Sequence, residues 1–201
     1  MLDLWLIRHG QTTWNKEGRI QGHLDAPLSE LGVKQVKALA KRMSGKDFDA
    51  IYSSDSGRAV QTAEIVFPGQ NLHVDARLRE MHYSVLEGRT RTEFSPDEEK
   101  HYAEYKRDPY NWKAPGGENW QDLFARVDAW ITSLPEDGKI VAVTHGGVVR
   151  AALWFVVGQA KSYAWSTRID NASISRFHIS PEQKILMTFN DAAHLEGINN
   201  D

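Results

Sequence analysis

Short apolar runs alternate with amphipathic helical stretches along the chain, and this alternation restricts the architecture more than any other feature. Residues 4–7, "LWLI", form a continuous apolar run, and "KIVAVT" at 139–144 reads as a second buried strand. A strand that is apolar throughout is buried on both faces, as in a parallel sheet covered by helices. "PLSELGVKQVKALAKRM" carries Val36, Leu39, Ala40 and Met43 at helical spacing behind Ser29, a natural N-cap. "AIYSS", 50–54, reads as a short strand, and "DSGRAVQTAEIVF" as a helix with Asp55 as its expected N-cap. "SPDEEKHYAEYKRDP" opens with a capping box, Ser95 to Glu98, has Pro96 at its first helical position, and ends at Asp108-Pro109. "ENWQDLFARVDAWITSL" puts Trp120, Leu123, Phe124, Val127, Ile131 and Leu134 on one face. "GVVRAALWFVVG" gives a further helix, and "ASISRFHI" and "KILMTFN" read as two closing strands joined by "SPEQ". The expected fold is α/β and three-layered, a mostly parallel sheet with helices on both faces, in a single domain over residues 1–201.

Composition narrows the chemistry. The chain has 201 residues, 41% hydrophobic and 25% charged, with a formal net charge of −3. That balance offers no general attraction to nucleic acid or to an anionic membrane, so any anion site must be built locally. There is no cysteine. Disulfides, thiolate metal sites and cysteine nucleophiles are thereby excluded, and a cytoplasmic setting is expected. The opening "MLDLWLIRHG" has no basic leader, and "AALWFVVG" is too short to span a bilayer. The oligomeric state is left open, a homodimer included.

Three strands end in polar groups that matter. The first runs into Arg8-His9-Gly10, the second into Ser53-Ser54-Asp55 with Arg58 just beyond, and the third into Thr144-His145-Gly146-Gly147. In open α/β sheets ligands bind beyond the carboxyl ends of the strands, so these segments are expected to face one crevice. Two guanidinium groups, two imidazoles and two helix N-termini suit a compact dianion, and phosphate fits best. Taken singly, each residue has an ordinary explanation as a hydrogen-bonded histidine, a solvated arginine or a turn. Their coincidence at strand ends is what points to a site. A metal centre is disfavoured, because the arginines beside the histidines would repel a cation and no HExxH pattern is present.

"LIRHGQTTWN" resembles the signature of the histidine phosphatase superfamily, the phosphoglycerate mutase-like proteins. "GRIQGHLDAPLSELG", "IYSSDSGRAVQTAE", "LREMHYSVLEG", "APGGENWQDLFARV" and "VTHGGVVRA" follow in the family's order. The resemblance implies that His9 is the nucleophile of a phosphohistidine mechanism, with Arg8, Arg58 and His145 holding the phosphoryl oxygens. It implies Glu80 as general acid and then base, with Asn15, Gln21, Gly22, His82, Tyr83 and Gly146 around the substrate. No metal or cofactor is implied. The plain alternative for Glu80 is a surface ion pair with Arg77 or Arg79.

The activity implied is metal-independent hydrolysis of a small phosphorylated metabolite. A cofactor-dependent phosphoglycerate mutase is the alternative, and an inactive phospho-ligand binding domain a third reading. His82-Tyr83 is closer to the mutase pattern and Glu87-Gly88 to the phosphatase pattern. The short segment from Gly88 to Gly117 lacks the longer insertion of mutases, which favours hydrolysis. Ser84 stands where the family carries glycine, so the backbone near the acid is expected to differ. Specificity is expected from about residue 89 to 120, with Arg89, Arg91, Tyr102, Tyr105, Tyr110 and Trp112, whereas Trp120 belongs to a core stripe.

Overall fold

A computed structural model describes residues 1–158 and 167–198. Among these residues six strands build one sheet: β1 (Leu2–Arg8), β2 (Ala50–Ser53), β3 (Leu72–Val74), β4 (Gly138–Thr144), β5 (Ile174–Ile179) and β6 (Lys184–Asp191). Their order is β3-β2-β4-β1-β5-β6. The first four run parallel, while β5 is antiparallel to both β1 and β6. Six helices accompany them: α1 (Thr13–Glu17), α2 (Glu30–Met43), α3 (Gly57–Val66), α4 (Pro96–Arg107), α5 (Trp120–Thr132) and α6 (Gly146–Val157).

The expected α/β sandwich is what forms, and the two-residue period of the strands divides its core. Leu4 and Leu6 of β1, with Ile140 and Ala142 of β4, pack against Trp120, Leu123, Val127 and Ile131 of α5 and Val148 of α6. Ile7, Val141 and Val143 face the other way, onto Val36 and Leu39 of α2 and Ala59 and Ala63 of α3. Both central strands are apolar on both faces because both faces are covered. None of the helices described is long and apolar enough to cross a membrane.

The local signals hold with one exception. Ser29 caps α2 by accepting from the Gly32 amide, and the Ser95–Glu98 capping box opens α4 at Pro96. The exception is α3, whose N-cap is Ser56 rather than Asp55. Asp55 is drawn away by Arg79, whose Nε and Nη2 donate to its two carboxylate oxygens at 2.7 and 2.5 Å. A two-point charged contact outcompetes a single cap bond.

Candidate active site

The register of the parallel strands brings the three polar ends together. Arg8 lies opposite Thr144, and Ser53 opposite Val143. The next residues stay attached to the ladder, because the His9 amide donates to Thr144 O at 2.9 Å and the Ser54 amide to Val143 O at 2.9 Å. The chains then leave the sheet on the same side, where α3 and α6 begin. A cavity of about 250 Å³ opens there, lined by Arg8, His9, Asn15, Gln21, Gly22, Arg58, Glu80 and Tyr83 among others.

His9 is held in one orientation. Its Nδ1–H donates to Gly10 O at 2.7 Å, which fixes the tautomer and leaves Nε2 with its lone pair. Burial, then the Arg58 and Arg8 charges, push its pKa well below the ordinary imidazole value, so the ring is neutral. Arg58 is only 1% exposed. Its Nη1 donates to Leu24 O and Asp25 Oδ1, both at 2.9 Å, and its Nη2 to Gly22 O at 2.8 Å and His145 Nδ1 at 3.2 Å. The Nε–H groups of Arg8 and Arg58 are buried and have no hydrogen-bond partner among the described residues. Two orphaned cationic donors in one cavity make a receptor for an anion.

His145 is fully buried and lies behind the cavity wall, its ring 5.1 Å from that of His9. Because Nδ1 accepts from Arg58, Nε2–H donates to Ser54 Oγ at 3.0 Å. Burial and the Arg58 charge keep this ring neutral as well. Gly146 starts α6 beside Arg8; a Cβ there would lie 3.7 Å from Arg8 Nε. Asn15 Oδ1 accepts from Asn171 Nδ2 at 3.2 Å, and the buried Oε1 of Gln21 has no partner among the described residues. Gly22 has φ +57°, and a Cβ on it would meet Glu87 Oε1 at 1.9 Å, so glycine alone fits there.

Glu80 is paired with neither neighbouring arginine. Arg77 binds Asp75 and Arg79 binds Asp55. The Glu80 carboxylate instead turns to the N-terminus of α6, accepting from the Gly147 amide at 3.1 Å on both oxygens and from the Met81 amide at 2.9 Å. His145, the N-cap of α6, makes no side-chain cap bond, so Glu80 answers one of the free amides of that helix end. His82 is not among the cavity-lining residues; its ring stacks on His23 with centroids 4.5 Å apart. Tyr83 does line the cavity.

Ser84 takes the left-handed conformation expected of the glycine it replaces, with φ +53°. Its hydroxyl donates to Pro115 O at 2.6 Å, which ties this turn to the loop at 114–117. From the segment 89–120, Tyr102 and Tyr105 join Ile20, Leu86 and Tyr83 as an apolar wall. Trp120 is core, and Tyr110 and Trp112 pack against it. Arg89 and Arg91 are engaged by Glu98 and Glu99, and Arg19 at the cavity wall by Glu17 and Glu93. Sequence reasoning placed Ser54 at a site-bearing strand end and Glu87 in a family pattern, but gave no role in the site to Asp25, Asn171, Glu87 or Arg126, all of which hold site residues or their backbone. Asp25, Glu87 and Arg126 lie inside the family-like blocks, which is the signal they had; Asn171 lies outside all of them.

A mostly parallel α/β sheet with an Arg-His-Gly strand end, two arginines whose Nε–H groups are buried and a carboxylate at a helix N-terminus defines a phosphoryl-binding protein. The chain belongs to the histidine phosphatase superfamily (branch 1), whose model matches residues 4–192. A probable phosphoglycerate mutase, GpmB of Yersinia pestis, is 34% identical over 206 residues, covering 98% of this chain and 96% of the relative. The structure of Bacillus stearothermophilus YhfR matches with a TM-score of 0.89 at 30% identity, over 97% of this chain and 100% of that one. A putative alpha-ribazole-5'-P phosphatase from Escherichia coli matches with a TM-score of 0.87 at 28% identity, over 95% and 97%.

Proposed function

We propose that this protein hydrolyses a small phosphomonoester without a metal ion, through a phosphohistidine at His9. The observation that carries the reading is the His9 ring, neutral, with Nδ1–H tied to Gly10 O and the Nε2 lone pair left free, in the wall of a cavity that Arg8 and Arg58 also line. His9 Nε2 attacks phosphorus, and the bond to the ester oxygen breaks. Glu80 gives its proton to the leaving alkoxide, while Arg8 and Arg58, backed by His145, stabilise the charge on the phosphoryl oxygens. The Glu80 carboxylate then takes a proton from water, whose oxygen attacks phosphorus. The N–P bond breaks, and phosphate leaves with the imidazole restored. Asn15, Gln21, Gly22 and Tyr83 bound the substrate. A cytoplasmic setting rests on the cysteine-free composition.

Phosphoglycerate mutase is the second reading, favoured by the relative named a probable mutase and by His82-Tyr83. Against it stand the ion pairs of Arg19 in the cavity wall and of Arg89 and Arg91 in the neighbouring segment. A mutase holds a bisphosphate, but Arg19, Arg89 and Arg91 each already face a carboxylate, and the wall beyond the phosphoryl cradle is mostly tyrosine and aliphatic. One experiment separates the readings: free phosphate from p-nitrophenyl phosphate is compared with conversion of 3-phosphoglycerate, with and without 2,3-bisphosphoglycerate. Phosphate release that survives EDTA and is abolished in His9→Ala is the expected result. Bisphosphate-stimulated isomerisation far faster than phosphate release would make the protein a mutase.

A further inference from the structure

Arg126 of α5 uses all five of its N–H donors, and none of them reaches the cavity. Nε and Nη2 grip the two oxygens of Glu118 at 2.8 and 2.9 Å. Nη1 donates to Arg77 O at 2.8 Å and to Arg79 O at 2.7 Å, and Nη2 also donates to Glu80 O at 2.8 Å. A guanidinium has five N–H groups, so this side chain is saturated by one carboxylate and three backbone carbonyls. Both partners are mostly buried, with side chains 18% and 19% exposed. Glu118 continues the grip, since its Oε2 accepts from the His82 amide at 3.0 Å and its own amide donates to His82 O at 2.8 Å. From the opposite side His23 Nε2–H donates to Glu80 O at 3.0 Å.

The segment so held, 77–82, has no strand or α-helix of its own to fix it beyond one short 3-10 turn at Ala76–Leu78. It nevertheless carries Glu80, whose carboxylate must stay within hydrogen-bond reach of the ester oxygen. A loop whose carbonyls are fixed to a rigid helix presents its side chain as a helix would.

We propose that Arg126 is a positioning residue for proton transfer: by clamping the carbonyls of Arg77, Arg79 and Glu80 to α5, it sets the place from which the Glu80 carboxyl gives its proton to the leaving oxygen. This rests on Glu80 being the acid. Lysine cannot substitute fully, because one ammonium has three donors and no fork to grip Glu118.

The test uses two esters that differ in their need for an acid. The p-nitrophenolate of p-nitrophenyl phosphate is a stabilised anion and departs without a proton, whereas the alkoxide of propyl phosphate needs one. The quantity kcat/KM reports transfer to His9, the step in which the leaving group departs. Arg126→Ala is expected to lower kcat/KM for propyl phosphate at least about tenfold more than for p-nitrophenyl phosphate, in the same sense as Glu80→Gln. Arg126→Lys should fall between Arg126→Ala and the parent, and it carries the test if the alanine variant does not fold. Equal losses on the two esters, with Glu80→Gln still discriminating between them, overturn the role of Arg126. Equal losses in Glu80→Gln itself overturn the acid assignment and this inference with it.

Discussion

His9 and Arg58 make their cases at the scale of single groups. An imidazole attacks phosphorus only as the neutral base, and burial next to two guanidinium groups keeps it so. Its carbon resonances, followed by NMR from about pH 8 down to about pH 5.5, are therefore expected to remain those of the neutral ring, since its midpoint lies well below the usual 6.5. A midpoint at or above that value would contradict the electrostatics described. Arg58 does two things at once. It lines the cavity with a buried Nε–H that has no partner among the described residues, and it ties Gly22, Leu24 and Asp25 to α3. Removing one such charge-stabilising group costs about 100- to 1000-fold in kcat. Arg58→Ala should show a loss of that size in steady-state turnover, and a loss below about tenfold would reduce it to a structural staple.

At the scale of elements, the start of α6 is where helix and catalytic loop meet. A Cβ on Gly147 would stand 2.1 Å from Glu80 Oε1, and the residue is in an ordinary helical conformation. Gly147→Ala should thus leave the helix intact, alanine being the better helix former, yet displace the carboxylate. The expected outcome is a melting temperature within a few degrees of the parent, with kcat/KM for an alkyl phosphate down about tenfold or more. Unchanged turnover would mean that the Glu80–Gly147 contact has no part in the reaction. The same elements explain what the sequence could convey. Runs such as "LWLI" and the Ser95–Glu98 box act within a few residues, so their strand and helix were readable. The meeting of Arg8-His9, Arg58 and His145 was readable too, because parallel strands deliver their ends to one edge. β3, three residues at the sheet edge with two of them exposed, has no periodicity to read. The Asp55–Arg79 and Arg126–Glu80 contacts join residues with no local pattern between them, and they decided which cap formed and where the acid points.

For the whole molecule, several histidines share one sign. His9 and His145 are pushed well below their ordinary pKa by burial, and His23 and His194 are lowered by burial as well. Above about pH 6.5 these rings are neutral folded or unfolded and contribute nothing to the pH dependence. Below it the unfolded chain takes up protons that the folded one refuses, so stability falls as pH falls. Carboxylates held low by partners, Glu93 at about 2 among them, add their loss only in stronger acid. The urea midpoint should therefore drop between about pH 7.5 and about pH 5.5, and an unchanged midpoint would contradict the burial of neutral imidazoles.

The pairing of β1 has a consequence for how the molecule is made. Leu2 pairs with Gly138 on one side and with Ile179 on the other. The strand that delivers Arg8 and His9 is synthesised first, but both of its neighbours come from the last third of the chain. At ordinary translation speeds it waits roughly 7–30 s for the first of them, its apolar residues 4–7 without a partner. Contacts this distant along the chain also slow the final assembly. β1 therefore lacks both strand neighbours until residues 138–144 are made, and the phosphoryl cradle cannot assemble before His145 exists.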